Sequence, residues 1–491
     1  MKRLTIVMLL LGIMGGAGQL LIAESDNPFR AFLFIAEVNA DEDDDDDGDD
    51  GDDGDDGDDG DDGDDDDGLD DELNDDFAVG SDDDIGIDDV SDMVEVSEAT
   101  DGAGSPGGRG DDDDEDWGGD VELTFEAGDD SVDGLDQALD HQGYIVRTAE
   151  ILAINAEDTS LELIEALGFA VLRQQNLAAL SISLAVIETP AGVSVRDAIK
   201  QLREHDSQAL YEFNHLYSAM RAEDDLMRAE SLSNVAAQNA AEIVIGLIDT
   251  AVATEHRALR NSDVISRRFV DGSALPMVHG TSIASLLVGE SKDFQSLLPG
   301  ATLYSAAVFD RHSSGRISAS ADSLAAALNW LVKEEVAVIN MSLAGPPNVL
   351  LEMAVRKSLG LGHAVVAAVG NDGPAAPPLY PAAYPGVVAV TAVDAKQRVY
   401  RRANRGDYVD FSALGVNVRA ADQQDRVGLF SGTSYAVPVV SAMLARRLII
   451  PDVVQQQAAL VQLQQQATDI GLGGRDSIFG YGLLSDSRHD D

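Results

Sequence analysis

Four side chains of the kinds used in acyl transfer occur along the chain in the order Asp249, His279, Asn371 and Ser434. A serine hydroxyl becomes a good nucleophile when a histidine takes its proton, and a carboxylate can orient that histidine. A side-chain amide can stabilise the oxyanion that forms when a carbonyl group is attacked. Each residue alone has an ordinary explanation, as a helix cap or a core histidine. Together they predict a serine nucleophile with its base, its orienting acid and an oxyanion donor.

Two of these residues follow apolar runs that predict buried strands. Asp249 comes directly after the run 243–248, and Asn371 comes shortly after the run 364–368. Continuous apolar runs are typical of parallel strands buried on both faces. Functional groups in such folds collect beyond the carboxyl ends of the strands. We therefore expect Asp249 and Asn371 at one edge of a parallel sheet.

The other two residues lie where helices are predicted to begin. His279 opens the segment 278–287, whose small residues would let a helix approach the sheet closely. Ser434 follows a glycine turn within the segment 430–438. The start of a helix supplies backbone N–H donors and the positive end of the helix dipole, and both favour a developing oxyanion.

The alternation of strand and helix patterns continues through about 250 residues, which form the predicted domain 235–491. This alternation predicts an α/β fold with a mostly parallel sheet flanked by helices on both faces. Further apolar runs occupy 303–308, 336–339 and 387–390, and helical patterns occupy 323–332 and 349–359.

Residues 242–485 resemble the subtilisin-like serine peptidases, or subtilases, in all of these motifs. The string GTSYAVP at 432–438 is the most specific signal, and the order Asp, His, Ser is the order of the family. The segment 339–346 resembles the substrate-binding strand of the family. The segment 380–385 resembles the loop whose first Tyr-Pro bond is typically cis, and 479–484 resembles the closing strand.

The resemblance implies a serine endopeptidase that acts on protein or peptide substrates through an acyl-enzyme on Ser434. His279 would be the general base and Asp249 would orient it, whereas Asn371 and the backbone N–H of Ser434 would hold the oxyanion. No cofactor is required for this chemistry. Subtilases often bind structural calcium, but no motif in this chain places a calcium site, so no metal ligand is predicted.

Four further residues are expected to contact the substrate because of the same resemblance. Ser342, Leu343 and Ala344 would pair with the substrate backbone as an added strand, and Leu379 would form the floor of the primary specificity pocket. Ala344 stands where subtilases commonly have glycine, so its methyl group would crowd the substrate. We expect a shallow apolar pocket that prefers small or medium uncharged residues before the scissile bond.

A second pattern, over residues 143–217, precedes the peptidase-like region. Its order β-α-β-β-α-β predicts a small ferredoxin-like α+β unit, with Thr159 and Ser194 as the caps of its two helices. Subtilases often carry a propeptide of this kind, so 121–234 is expected to be a propeptide with its junction. It would template folding and act as an intramolecular inhibitor until it is cut within 217–236.

Most of the charge lies in one tract. The chain has 491 residues and a formal net charge of -58, and residues 41–120 hold 42 Asp plus Glu and one Arg, a net charge of -41. Such a tract buries too little apolar surface to fold, so a disordered acidic segment is expected over 24–120. It could alternatively bind calcium loosely.

Nucleic acid is disfavoured as a partner because phosphate repels carboxylate. The absence of cysteine excludes disulfides and thiolate metal sites.

Residues 1–23 are predicted to be a signal peptide. Lys2 and Arg3 precede an apolar run over 4–22 that glycines and a glutamine interrupt. Its cleavage would make the protein secreted or periplasmic, and the membrane would be a partner only if the signal stayed uncleaved as an anchor.

One alternative function stays open, a catalytically silent subtilase-fold protein that binds or adheres through its acidic tract. The complete set of four catalytic side chains disfavours it.

Overall fold

The computed structural model describes residues 137–219, 242–272, 275–291, 295–312, 315–422 and 424–485. The predicted signal peptide and acidic segment lie outside these residues, as do the first part of the predicted propeptide and most of its junction. No helix within the described ranges is long and apolar enough to cross a membrane.

An antiparallel sheet with two helices occupies residues 137–219. Its strands are β1 Gln137–Leu139, β2 Ile145–Ile154, β3 Ala170–Leu177, β4 Ile182–Glu188 and β5 Leu210–Ala219, and its helices are α1 Asp158–Ala166 and α2 Val195–His205. From β2 onward the order is β-α-β-β-α-β, so the predicted order is confirmed. The strands lie side by side in the order β3-β4-β2-β5.

The two helices of this small unit begin differently. The side chain of Ser194 accepts a hydrogen bond from the backbone N–H of Asp197 and caps α2, as the sequence predicts. Helix α1 begins after Glu157, which makes no side-chain cap, so Thr159 lies inside the helix and its predicted capping role is wrong. The acidic Asp158 lies in the first turn of α1, where a negative charge complements the helix dipole.

A larger unit follows in residues 242–485. Its strands are β6 Val244–Asp249, β7 Asp263–Arg268, β8 Thr302–Ala307, β9 Phe309–Arg311, β10 Ile317–Ser320, β11 Val338–Met341, β12 Leu343–Ala344, β13 Ala364–Ala368, β14 Val388–Val393, β15 Phe411–Leu414, β16 Val418–Ala421 and β17 Val427–Phe430. Its helices are α3 Val278–Val288, α4 Ala321–Lys333, α5 Val349–Gly360, α6 Thr433–Ala445 and α7 Val453–Gln466.

A parallel sheet of seven strands, in the order β15-β14-β13-β11-β6-β8-β7, forms the centre of the larger unit. Its inner strands are buried on both faces, which explains their continuous apolar runs, whereas the edge strand β7 is largely exposed. In β11, for example, Val338 belongs to the core that includes α3 and α6, and Ile339 belongs to the core that includes α4 and α5. The predicted α/β class is therefore confirmed.

The segment 479–484 departs from the expected closing strand. Leu483 forms single bridges to Ser412 and to Thr468 rather than a regular strand. The predicted cis bond is present, between Tyr380 and Pro381.

Strand β5 joins the small unit to the larger one. Tyr217 pairs with Ala319 of β10, and Ala219 pairs with Leu343 of β12, both in antiparallel register. The sequence interpretation missed β10, because a strand of four residues rich in serine and alanine has no apolar alternation that would reveal it.

The small sheet has apolar side chains packed on both of its faces. Alternate residues of a strand point to opposite faces, so neighbours in one strand belong to different cores. In β2, Ile151 packs in the core of the small unit with Ile199 of α2. Its neighbour Leu152 belongs instead to the core shared with α4 and α5 of the larger unit, for example with Leu328. The small sheet therefore covers one apolar face with its own helices and the other with helices of the larger unit.

Candidate active site

Asp249 and His279 form a buried hydrogen-bonded pair. The Nδ1 atom of His279 lies 2.8 Å from Oδ1 and 2.9 Å from Oδ2 of Asp249. Because both neighbours are carboxylate oxygens, Nδ1 must carry the proton, and in the neutral ring Nε2 then holds the lone pair. Nε2 is buried and has no hydrogen-bond partner among the described residues. This histidine can therefore accept a proton at Nε2 while Asp249 stabilises the resulting imidazolium.

The start of helix α3 positions His279 against the end of β6. The backbone N–H of Gly280 donates to Oγ1 of Thr250 at 2.7 Å, and the backbone N–H of Thr250 donates to Oδ1 of Asp249 at 2.6 Å. A Cβ atom on Gly280 would collide with the backbone oxygen of Thr250. Glycine is required here because the helix approaches the strand end this closely, as the small residues of 278–287 predict.

Ser434 lies in the first turn of α6, directly after Gly432 and Thr433, and its side chain is fully buried. Its hydroxyl donates to the backbone oxygen of Ser342 at 3.2 Å. The ring of the next residue, Tyr435, lies 5.8 Å from the ring of His279 between centroids. The structure thus brings Ser434 close to the Asp-His pair, without a hydrogen bond between the serine hydroxyl and Nε2 of His279. Such bonds are often long or absent until substrate binds.

The amide of Asn371 is held beside the start of α6. Its Oδ1 accepts hydrogen bonds from the backbone N–H of Thr433 at 3.1 Å and from the hydroxyl of Thr433 at 3.0 Å. Its Nδ2 is buried and has no hydrogen-bond partner among the described residues. A buried amide donor without a partner is costly. Because Asn371 is hydrogen-bonded to Thr433, the residue directly before Ser434, this Nδ2 is available to an oxyanion that forms at Ser434.

A second network holds Ser342 against Ser434. The hydroxyl of Ser342 donates to the backbone oxygen of Ser434 at 3.0 Å and accepts from Nδ2 of Asn340 at 2.9 Å. Oδ1 of Asn340 in turn accepts from the hydroxyl of Ser441 at 3.0 Å. The network connects β11 with α6, so it sets the distance between the predicted substrate strand and the serine.

The predicted substrate strand is already paired in this structure. Leu343 and Ala344 form β12 and pair with Ala219 and Ser218 of β5. Ala344 is buried, and the next residue, Gly345, exchanges two backbone hydrogen bonds of 2.9 Å with Tyr380. The edge that we expected to bind substrate backbone therefore holds the end of the upstream unit.

Tyr217 anchors that end. Its side chain is fully buried, and its hydroxyl donates to the backbone oxygen of Pro346 at 3.0 Å. A Cβ atom on Gly345 would collide with the Tyr217 ring. Burial, with a smaller contribution from the neighbouring Tyr384, raises the pKa of Tyr217 well above its usual value, so the phenol stays neutral.

Leu379 lies next to the oxyanion segment rather than against β12. Its Cδ1 lies against Gly370, the residue before Asn371, and its side chain is buried. The backbone bridge between Gly345 and Tyr380 connects this segment to the end of β12. Six of the eight site residues named from the sequence are thus connected by hydrogen bonds or by immediate chain neighbours, and the Asp249-His279 pair adjoins them through the ring contact between His279 and Tyr435.

Sequence reasoning missed the residues that hold the site together. Thr250, Thr433 and Asn340 each adjoin a named motif, and a buried polar residue beside a catalytic one could have been read as its support. Nothing in the local pattern indicated Ser441, which lies about two helix turns beyond Ser434. The contact of Tyr217 with Gly345 was likewise without a local signal.

The central parallel sheet carries at its carboxyl edge an Asp-His pair, a helix-start serine and the amide of Asn371, whose Nδ2 has no partner among the described residues. These features define a subtilisin-like α/β protein. The model of the Subtilase family matches residues 240–482. Subtilisin DY from Bacillus licheniformis is 31% identical over 255 residues, which are 50% of this chain and 89% of that protein. The chain belongs to the subtilase family.

Two further similarities extend this finding. The minor extracellular protease Epr from Bacillus subtilis (strain 168) is 34% identical over 210 residues, 42% of this chain and 32% of that protein. The crystal structure of fervidolysin from Fervidobacterium pennivorans, described as a keratinolytic enzyme related to subtilisin, shares the fold with a TM-score of 0.55. It is 20% identical, and the match covers 69% of this chain and 60% of that chain. The chain spans between 32% and 60% of the length of three of the curated relatives that it matches.

Proposed function

We propose that this chain is a serine endopeptidase that hydrolyses peptide bonds through an acyl-enzyme on Ser434. The observation that carries the proposal is the state of His279. One ring nitrogen is held between the two oxygens of Asp249, and the other is buried without a partner among the described residues. In a chain of the subtilase family, a proton acceptor of this kind close to a helix-start serine serves to deprotonate that serine when it attacks a carbonyl group.

The roles follow from the geometry. His279 takes the proton of Ser434, whose Oγ leaves the backbone oxygen of Ser342 and forms a bond to the substrate carbonyl carbon. Nδ2 of Asn371 and the N–H of Ser434 hold the negative oxygen. The C–N bond then breaks as His279 returns its proton to the leaving amine. A water molecule, deprotonated by the same histidine, hydrolyses the acyl-enzyme. Asp249 keeps its hydrogen bonds to Nδ1 of His279 and so fixes the ring throughout.

No step of this mechanism requires a metal ion or a cofactor. Among the described residues, no group of three or more His, Asp or Glu side chains could hold a metal ion. A structural calcium site therefore stays an unplaced expectation from the family resemblance.

The upstream unit is proposed to be an intramolecular inhibitor. Ser218 and Ala219 occupy the edge of β12 that substrate backbone would use, and Tyr217 fills the space beside Gly345. The register partner of Ala219 is Leu343, which directly follows Ser342, and the backbone oxygen of Ser342 accepts from the Ser434 hydroxyl. Self-cleavage is accordingly proposed after residue 220, inside the window 217–236.

The same unit is proposed to template folding of the larger one. Parallel sheets fold slowly because their contacts are far apart in sequence. The small sheet offers a preformed apolar face to α4 and α5. It also brings Arg173, which pairs with the buried Asp322 at 2.6 Å, and Asn214, which donates to Asp322 at 3.0 Å. These contacts join segments that are more than 100 residues apart.

The protein is proposed to act outside the cytoplasm, in the medium or the periplasm. Residues 1–23 have the composition of a cleavable signal. The similar protease Epr is described as extracellular.

Intact mass of the expressed segment 24–491 tests the catalytic proposal. The wild type should cut itself after residue 220 and react with a fluorophosphonate probe, whereas Ser434→Ala should stay whole and unlabelled. Ser207→Ala, a control at an exposed serine of the small unit, should behave as the wild type. If Ser434→Ala still cuts itself and still reacts with the probe, another residue is the nucleophile. Absence of both in the wild type, even after limited trypsin treatment, would reject the endopeptidase proposal.

A further inference from the structure

A cluster of arginines follows β14 in a protein whose net charge is strongly negative. The segment 398–405 contains Arg398, Arg401, Arg402 and Arg405. Arg398 pairs with Asp394 at 2.6 Å. Within the described residues, the other three have no carboxylate at ion-pair distance. We call Arg401, Arg402 and Arg405 the arginine cluster.

The segment that carries the cluster is attached to the oxyanion segment by hydrogen bonds, some between backbone groups and some that use a side chain. Nε of Arg402 donates to the backbone oxygen of Asn371 at 3.3 Å, and the N–H of Gly373 donates to the backbone oxygen of Arg402 at 2.8 Å. Oδ1 of Asn404 accepts from the N–H of Asp372 at 2.9 Å. The arginines are therefore held beside the residue that is proposed to bind the oxyanion, and they do not belong to a loosely attached loop.

The three side chains are available to a ligand to different degrees. Arg401 and Arg402 are exposed, and Arg405 is half-buried, with its Nε fully enclosed and without a hydrogen-bond partner among the described residues. The exposed Asp372 lies on the attached segment and the exposed Asp407 follows Arg405 by two residues, and among the described residues neither forms an ion pair with the cluster. Several positive charges close to a reaction centre would attract a carboxylate.

Among the described residues, none of the hydrogen bonds or register partners of residues 217–219 lies in the segment 398–405. Those partners lie in β10, β12 and at Pro346. Residues 217–219 represent the half of a substrate that precedes the scissile bond. The residues after the scissile bond are thus the half that can meet the arginines.

The chain itself carries acidic residues at that place in its sequence. Residue 219 is followed by Met220, Arg221 and Ala222, and then by Glu223, Asp224 and Asp225. If the bond after residue 220 is cut, these three carboxylates are the third to fifth residues of the leaving segment. Their charge is complementary to that of the arginine cluster.

We propose that Arg401, Arg402 and Arg405 form a subsite for acidic residues on the leaving-group side of the cleft. The enzyme accordingly prefers polypeptides that carry Asp or Glu a few residues after the scissile bond, as its own sequence does at 223–225. The inference rests on the proposed endopeptidase activity and specifies its substrates. An exposed charge pair contributes about two- to fivefold, so three arginines together should give on the order of tenfold.

Two quenched peptides test this preference with the self-processed enzyme. Both begin with the sequence YSAM, and they continue with RAEDD or with the uncharged RAQNN. The acidic peptide should have about tenfold higher kcat/KM at low salt, and the ratio should fall towards one at about 1 M NaCl because salt screens exposed charges. The ratio should also fall to about one in the triple variant R401Q/R402Q/R405Q, and below one in Arg401→Glu.

Arg356→Glu is the matched control for charge reversal. Arg356 is an exposed arginine near the end of α5, shortly before the start of β13 and hence at the opposite edge of the sheet from the site. This variant should keep the full ratio. Equal cleavage of both peptides by the wild type, or an unchanged ratio in the triple variant, would overturn the proposal.

A readout that needs no turnover separates this inference from the proposed activity. In the uncut Ser434→Ala precursor, a benzophenone amino acid placed at Ala222 should cross-link to a peptide that contains 398–405. Cross-linking only to other segments would overturn the subsite. A cross-link to 398–405 in a protein that cleaves neither peptide would support the subsite and reject the endopeptidase.

Discussion

The contact of Tyr217 with the larger unit gives a quantitative prediction about the precursor. Tyr217 is fully buried, its ring lies against Gly345, and its hydroxyl donates to the backbone oxygen of Pro346 at 3.0 Å. A buried aromatic side chain removes roughly 150–250 Å² from water, at about 25 cal/mol per Å². Because part of this surface is polar and some space closes after truncation, Tyr217→Ala should lower the free energy of unfolding by about 3–5 kcal/mol. Tyr217→Phe removes only the hydrogen bond and should cost about 1 kcal/mol.

Urea unfolding of the Ser434→Ala precursor, followed by circular dichroism, measures both changes without interference from self-cleavage. Leu172→Ala is the control in the same small unit, because Leu172 is 46% exposed and should change the free energy by less than about 0.5 kcal/mol. If Tyr217→Ala unfolds within that margin of its parent, Tyr217 is not buried against the larger unit. The proposed placement of residues 217–219 along β12 would then be refuted.

Three further predictions concern the site and the contact between the units. Asn371→Ala should lower kcat by about 100- to 1000-fold with little change in KM, because the amide would act only on the oxyanion. Steady-state kinetics on a peptide substrate would contradict this role if KM rose while kcat stayed unchanged, since that pattern marks a contact that binds substrate and transition state equally. Burial alone would raise the pKa of Asp322, but Arg173 and the hydroxyl of Ser320 lower that pKa below its usual value. The ionised form is therefore the one favoured in the folded state, so its stabilisation is complete above about pH 4 and is lost as the pH falls through the lowered pKa. Urea midpoints of the Ser434→Ala precursor between pH 5 and pH 3 should show this acid-dependent loss, and Arg173→Gln should lower the midpoint at pH 5 and flatten the dependence. Finally, a peptide-library profile of the processed enzyme should favour small or medium uncharged residues before the cleaved bond, and Ala344→Gly should widen that preference, whereas a profile dominated by Arg or Lys would contradict the expected pocket.

Local patterns were sufficient for the main elements of the fold. The run 364–368 coincides with β13, and the run 243–248 overlaps β6, because strands buried on both faces leave an unbroken apolar signature. The cap at Ser194 was predicted correctly because it depends on residues three apart. The expected cap at Thr159 was wrong, since several polar residues in a row offered alternative starting points and the sequence gives no way to choose among them.

In the candidate site, the catalytic side chains were predictable from the sequence, whereas the hydrogen bonds that orient them were not. Asp249, His279, Asn371 and Ser434 were named from residue type, order and the motifs around them. The hydrogen bonds that orient them, from Thr433 to Asn371 and from Ser342 to the backbone of Ser434, join residues that are 62 and 92 positions apart. No local pattern contains those pairs.

The sequence by itself determined which side chains could carry the chemistry and which segments could be buried strands, because both depend on residue type and on spacing over a few positions. Only the tertiary structure decided that the serine hydroxyl turns to Ser342, that Ser218 and Ala219 lie along β12, and that the arginine cluster adjoins Asn371. These facts depend on how strands far apart in the chain meet at one edge of a sheet. That meeting is a property of the packed core as a whole, to which many residues contribute a little and none contributes a recognisable motif.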